Sequence, residues 1–74
     1  MKAGAHPSAE GTTFVVWAPH TGQVTVWLEP AEGGQREISL NAQPGGWHAG
    51  TEASAAPGDA YGFRLDGGPV LPDP

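Results

Sequence analysis

The sequence predicts an all-β fold, a small immunoglobulin-like β-sandwich of about six to seven short strands. Three observations predict it. Twelve Gly and eight Pro among 74 residues punctuate the chain and disfavour long helices. Between them stand short runs rich in Val, Thr, Phe and Trp, the residues that fit a pleated, half-buried surface. Turn signals recur about every 8–12 residues, and no stretch carries the apolar period of a helix.

Residues 1–11 (MKAGAHPSAEG) have no apolar alternation and read as a flexible leader rather than a strand. The sandwich is expected over residues 12–71. Its first strand is Thr12-Thr13-Phe14-Val15-Val16-Trp17-Ala18, stopped by Pro19. After the turn His20-Thr21-Gly22 comes Gln23 to Glu29, where Val24, Val26 and Leu28 alternate with Thr25 and Trp27. Pro30 and Gly33-Gly34 end it, and Arg36 to Leu40 places Ile38 and Leu40 on one face. Pro44-Gly45-Gly46 leads into a short strand, Trp47 to Thr51; Ala56-Pro57-Gly58-Asp59 turns the chain into Ala60 to Leu65. Asp66-Gly67 is a tight-turn signal, and Val70-Leu71 begins a last strand before a linker at residues 72–74.

The expected core is Phe14, Val16, Val24, Val26, Leu28, Ile38, Leu40, Tyr61, Phe63 and Leu65, with Trp47 adding the largest area. A four-residue hairpin at Pro19–Gly22 would pair Ala18 with Gln23, which puts Val16 and Thr25 on one face and contradicts the alternation. A bulge near Pro19, or strands in two different sheets, removes the conflict.

The chemistry-bearing residues do not converge. His6 falls in the leader, His20 in a turn, and His48 alternates outward beside Trp47; no pair has zinc-ligand spacing, so all three read as surface histidines. Asp59 and Asp66 flank one strand, which places them roughly 23 Å apart, far outside the about 5–9.5 Å of glycosidase carboxylate pairs. They read as turn residues that accept backbone N–H bonds. No serine has an activating base nearby, and Gly33-Gly34 lacks the Lys and helix of a phosphate cradle. This stretch is expected to be non-catalytic, with no metal and no cofactor.

Eight Asp and Glu stand against Lys2, Arg36 and Arg64, a net charge of −5 that disfavours nucleic acid and anionic membrane alike. There is no cysteine, and no apolar run approaches the roughly 20 residues of a membrane span. Met1 to Ala5 lacks the apolar core of a signal peptide, so a cytoplasmic location is expected. The aromatic residues are the informative ones. Trp17 alternates away from Phe14 and Val16, and Trp27 away from Val26 and Leu28. Two outward indoles call for a cover, either a loop, a neighbouring domain or a second sheet, or else serve as a platform for the apolar C–H face of a sugar ring. Trp17 and Trp27 are therefore the candidate carbohydrate-binding or domain-interface residues.

Several pieces together resemble a known family: Phe14-Val15-Val16-Trp17-Ala18-Pro19, then Val24-x-Val26-x-Leu28, then Gly46-Trp47, then Pro57-Gly58-Asp59-Ala60-Tyr61-Gly62-Phe63-Arg64-Leu65-Asp66-Gly67. They are similar to the early-set, immunoglobulin-like domain that precedes the barrel in α-glucan-active glycoside hydrolases of family 13, also classed with family 48 carbohydrate-binding modules. The run Leu65 to Pro74 most resembles malto-oligosyltrehalose trehalohydrolases, with branching and debranching enzymes as near relatives. The resemblance implies that the catalytic Asp and Glu belong to the barrel, and that this stretch packs on that barrel and helps shape its cleft. Glycogen-binding members carry a Lys between the Tyr and Phe of the Tyr-x-Phe strand and a Trp after the Asp-Gly turn. Here Gly62 and Gly68-Pro69 stand there, and Glu29-Pro30-Ala31-Glu32-Gly33 replaces a Phe-Asn-x-Trp-like loop. These departures favour packing over an independent starch- or glycogen-binding module that would hold maltooligosaccharide on exposed Trp. A cell-surface adhesion sandwich is the unrelated alternative.

Overall fold

The structure, a computed structural model, describes residues 2–30, 33–55 and 59–71. Among these residues the strands are β1 (Gly4–Ser8), β2 (Gly11–Trp17), β3 (Val24–Glu29), β4 (Arg36–Ser39), β5 (Asn41–Gln43), β6 (Trp47–Glu52), β7 (Ala60–Leu65) and β8 (Val70–Leu71). They build two four-stranded antiparallel sheets, β1-β2-β6-β5 and β4-β3-β7-β8. The expected all-β sandwich is the observed architecture. The turn at Ala56–Gly58 and the linker at residues 72–74 lie outside the described residues.

The chain passes between the sheets at three places: β2 to β3, β4 to β5, and β6 to β7. This settles the register conflict at Pro19–Gly22 in favour of two sheets, so Ala18 does not pair with Gln23 and the alternation of both strands stands. Each crossing carries a buried apolar residue: Ala18, Leu40 and Ala55. Their backbones are tied down where ladder bonds stop. The Ala18 N–H donates to Gly46 O at 2.8 Å, that of Leu40 to Val24 O at 2.9 Å, and that of Ala55 to Glu52 O at 3.2 Å. Thr12, also buried, donates its Oγ1 hydroxyl to Ala55 O at 3.2 Å.

The core packs β2 against β3 and β7. Val24, Val26 and Leu28 are fully buried, joined by Phe14, Val16, Leu40 and Phe63, while Ile38, Tyr61 and Leu65 pack at its margin. Tyr61 meets Phe14 and Phe63 edge to face, at centroid distances of 5.2 and 5.8 Å. The apolar alternation named these residues correctly. Ala5, Ala18 and Ala55 were not among them, because alanines at strand ends carry too little apolar signal to stand out.

Three expectations are corrected. Within the expected leader, Gly4–Ser8 form β1, paired with β2 from Gly4↔Val15 to Ser8↔Gly11. Pro7 is tolerated because β1 is an edge strand, and Gly11 at φ 121° adopts a conformation closed to most side chains, with its Cα against the Glu52–Ala53 backbone. Trp47 is not in the core. Its parity is set by pairing with β2, which places Val16↔His48 inward and Trp17↔Trp47 outward. His48, read as a surface residue, is thus buried at 3% exposure, with Nε2 3.3 Å from Ala18 O.

Candidate functional site

The first sheet turns an outer face to solvent whose composition departs from the rest of the chain. Register partners share a face, so one row across β2, β6 and β5 is Trp17, Trp47 and Gln43; the next is Val15, Ala49 and Asn41, backed by Gly4 on β1. Beyond these, Thr13 and Thr51 face each other with hydroxyls 2.6 Å apart. Trp17 is 57% exposed, the most exposed large apolar side chain among the described residues. Its orientation is held: the indole Nε1–H donates to Gly45 O at 2.9 Å, which pins the ring to the turn before β6. Gly46 makes that turn possible, at φ 88° and with Pro19 so close that an added Cβ would lie 2.7 Å from its Cα and Cβ. Val15 is buried although it faces outward and stands apart from the core cluster, so this face has an apolar floor of its own. None of the strand residues on this face is Asp, Glu, Lys or Arg.

The outer face of the second sheet is differently built. Trp27 pairs with Gly62 on one side and Glu37 on the other. Arg64 lies over the Trp27 ring, its guanidinium carbon 5.5 Å from the centroid, and donates from one Nη to Glu37 Oε1 at 3.0 Å; Thr25 Oγ1 donates to Glu37 Oε2, also at 3.0 Å. Trp27 is half-buried and already partnered. Such a stack contributes about 0.5–1 kcal/mol at an exposed site, and the half-exposed ion pair about 0.2–1 kcal/mol.

Trp17 and Trp27 both face outward as expected, but from opposite sheets, so they cannot form one platform. The aromatic pair on one face is Trp17, exposed, beside Trp47, half-buried. The alternation of β2 was enough to expose Trp17; Trp47, Gln43 and Asn41 needed the β2-β6-β5 pairing, which local sequence does not disclose. The remaining candidates are dispersed. Among the described residues no three His, Asp or Glu side chains gather to hold a metal ion. Asp66, at φ 50°, accepts the N–H groups of Gly22 and Gln23 on Oδ1 at 3.1 and 2.9 Å, so its carboxylate joins the β7–β8 turn to the entry of β3. That is the expected bond type, made to residues distant in the chain. His6 lies in β1 with Nε2 2.8 Å from Lys2 O, and His20 is exposed beside Pro19.

The fold and the motifs agree with comparisons to known proteins. The chain is 36% identical over 66 residues to a glycogen debranching enzyme of Yersinia pestis, covering 88% of this chain and 10% of that protein. It is also 36% identical over 67 residues to a 1,4-alpha-glucan branching enzyme of Salinibacter ruber, covering 90% of this chain and 11% of the relative. In structure it resembles the type I pullulanase of Bacillus subtilis complexed with maltose, with a TM-score of 0.78 at 25% identity over 99% of this chain and 10% of the pullulanase. It therefore spans about a tenth of the length of these relatives. With residues 2–72 matched by the family model, the chain belongs to the carbohydrate-binding module 48 family, the isoamylase N-terminal domain.

Proposed function

We propose that this domain is the non-catalytic N-terminal part of an α-glucan-active glycoside hydrolase, packed on the catalytic barrel of the same polypeptide and helping to shape its cleft. The observation that carries the packing is Leu71. It is the register partner of the buried Phe63, yet on the two-residue edge strand β8 it is 41% exposed. An apolar residue in line with the core and open to solvent marks an unfinished edge, the kind of surface an adjoining domain covers. Gly62, Gly68 and Pro69, in place of the sugar contacts of glycogen-binding members, leave this side suited to packing. Leu71 at its edge and Trp27, capped by Arg64 on its outer face, both belong to the second sheet.

The finer reading, a malto-oligosyltrehalose trehalohydrolase, rests on the run Leu65 to Pro74. A branching or debranching enzyme is the second reading, favoured by the relatives at 36% identity. Product analysis of the complete parent separates them: release of trehalose from malto-oligosyltrehalose supports the first, and cleavage or transfer of branch chains the second. The packing itself is tested by deleting residues 2–71 from the parent. The shortened enzyme should melt earlier and lose activity; an unchanged melting point and rate would contradict the proposal.

A further inference from the structure

We infer that the outer face of the β1-β2-β6-β5 sheet is a binding site for a linear α-glucan chain, with Trp17 and Trp47 as its aromatic floor. The inference rests on the α-glucan reading above for its ligand class, and adds the place. The sugar contacts that the family resemblance implies would fall at Gly62 and Gly68-Pro69, on β7 and the turn after it, in the other sheet. A site on Trp17 and Trp47 would be a different one.

Charge selects the ligand. The chain carries eight acidic and three basic residues, yet the strand residues of this face include none of them. What it offers is two indoles, the amides of Gln43 and Asn41 and the hydroxyls of Thr13 and Thr51, with the His6 ring, bonded to Lys2 O, at its β1 edge. A neutral polyol loses no ionic partner there and finds uncharged donors and acceptors beside a flat apolar surface. A phosphorylated or carboxylated ligand finds no Lys or Arg. Geometry supports the same ligand. Trp17, Trp47 and Gln43 lie in line across neighbouring strands, a span of about 10 Å, long enough for one chain to lie across more than one side chain. The hydrogen bond from Trp17 Nε1 to Gly45 O fixes the ring beforehand, so little side-chain freedom is lost on stacking.

The three indole N–H signals of Trp17, Trp27 and Trp47 provide the test, read by heteronuclear NMR of the chain during titration with maltoheptaose. Saturable shifts at Trp17 and Trp47 with Trp27 unmoved are expected. Trp17→Ala should weaken binding by roughly tenfold or more, and Trp17→Phe, which keeps a flat ring, should weaken it less; both should retain the amide spectrum of the folded chain, because the ring is largely exposed. Absence of shifts at Trp17 and Trp47 at millimolar maltoheptaose would overturn the proposal, as would shifts confined to Trp27. If the parent still acts on α-glucan in that event, only the site fails and the functional reading survives. Shifts with cellohexaose but not maltoheptaose would overturn the ligand class, and the α-glucan reading along with it.

Discussion

Asp66 shows how much a single side chain contributes in a chain this short. Its carboxylate satisfies two backbone N–H groups at the start of β3, and its own N–H donates to Gln23 O at 2.8 Å. Asp66→Ala leaves both donors without this partner and forces alanine into a left-handed conformation, so it should destabilise the domain by about 1–3 kcal/mol in denaturant unfolding. Asp66→Asn keeps an acceptor oxygen and tolerates the positive φ, and should cost less. The glycines offer a second contrast. Gly33 and Gly46 have similar φ values, 95° and 88°, but an added Cβ at Gly33 meets nothing within 4 Å, whereas at Gly46 it meets Pro19 at 2.7 Å. Gly33→Ala should therefore cost about 1 kcal/mol and Gly46→Ala more than about 3 kcal/mol. Equal losses would show that conformation alone, without the contact to Pro19, determines the need for glycine at this turn.

At the scale of elements, β1 carries the sharpest prediction. It completes the edge of the first sheet beside β2 and brings Ala5 against the core. A chain beginning at Gly11 should lose more than about 2 kcal/mol of stability; a leader without structure could be removed at no cost. The sequence conceals β1 because Gly4-Ala5-His6-Pro7-Ser8 has no β-forming run, and its order comes from the neighbouring strand. The same holds for β5, whose Asn41, Ala42 and Gln43 are all exposed. The strands that build the core were legible, since Val24, Val26 and Leu28 or Tyr61, Phe63 and Leu65 announce both the element and its buried face. What local alternation cannot supply is parity relative to a partner. Trp47 was assigned inward on its size, but the ladder with β2 turns it outward and His48 inward. Half of the candidate site depends on that ladder.

The whole molecule presents two unlike regions. One is the β8 edge of the second sheet, where Leu71 is exposed in line with the core; the other is the outer face of the first sheet, with Trp17 and Trp47 and no Asp, Glu, Lys or Arg among the strand residues of that face. If the catalytic barrel closes the first and the second stays open to glucan, the two regions should respond differently to change. Leu71→Asp in the complete parent should lower its melting temperature more than it lowers that of the 74-residue domain, because the side chain is already exposed in the domain alone. Equal shifts in parent and domain would argue against docking at this edge. The most direct measurement is side-chain footprinting by hydroxyl radicals on the parent, with and without maltoheptaose. Leu71 should be protected throughout, while Trp17 should be labelled in the free enzyme and protected once the sugar is added. Trp17 protected before any sugar is present would contradict this division of the surface, because the face assigned to glucan would then already be covered by protein.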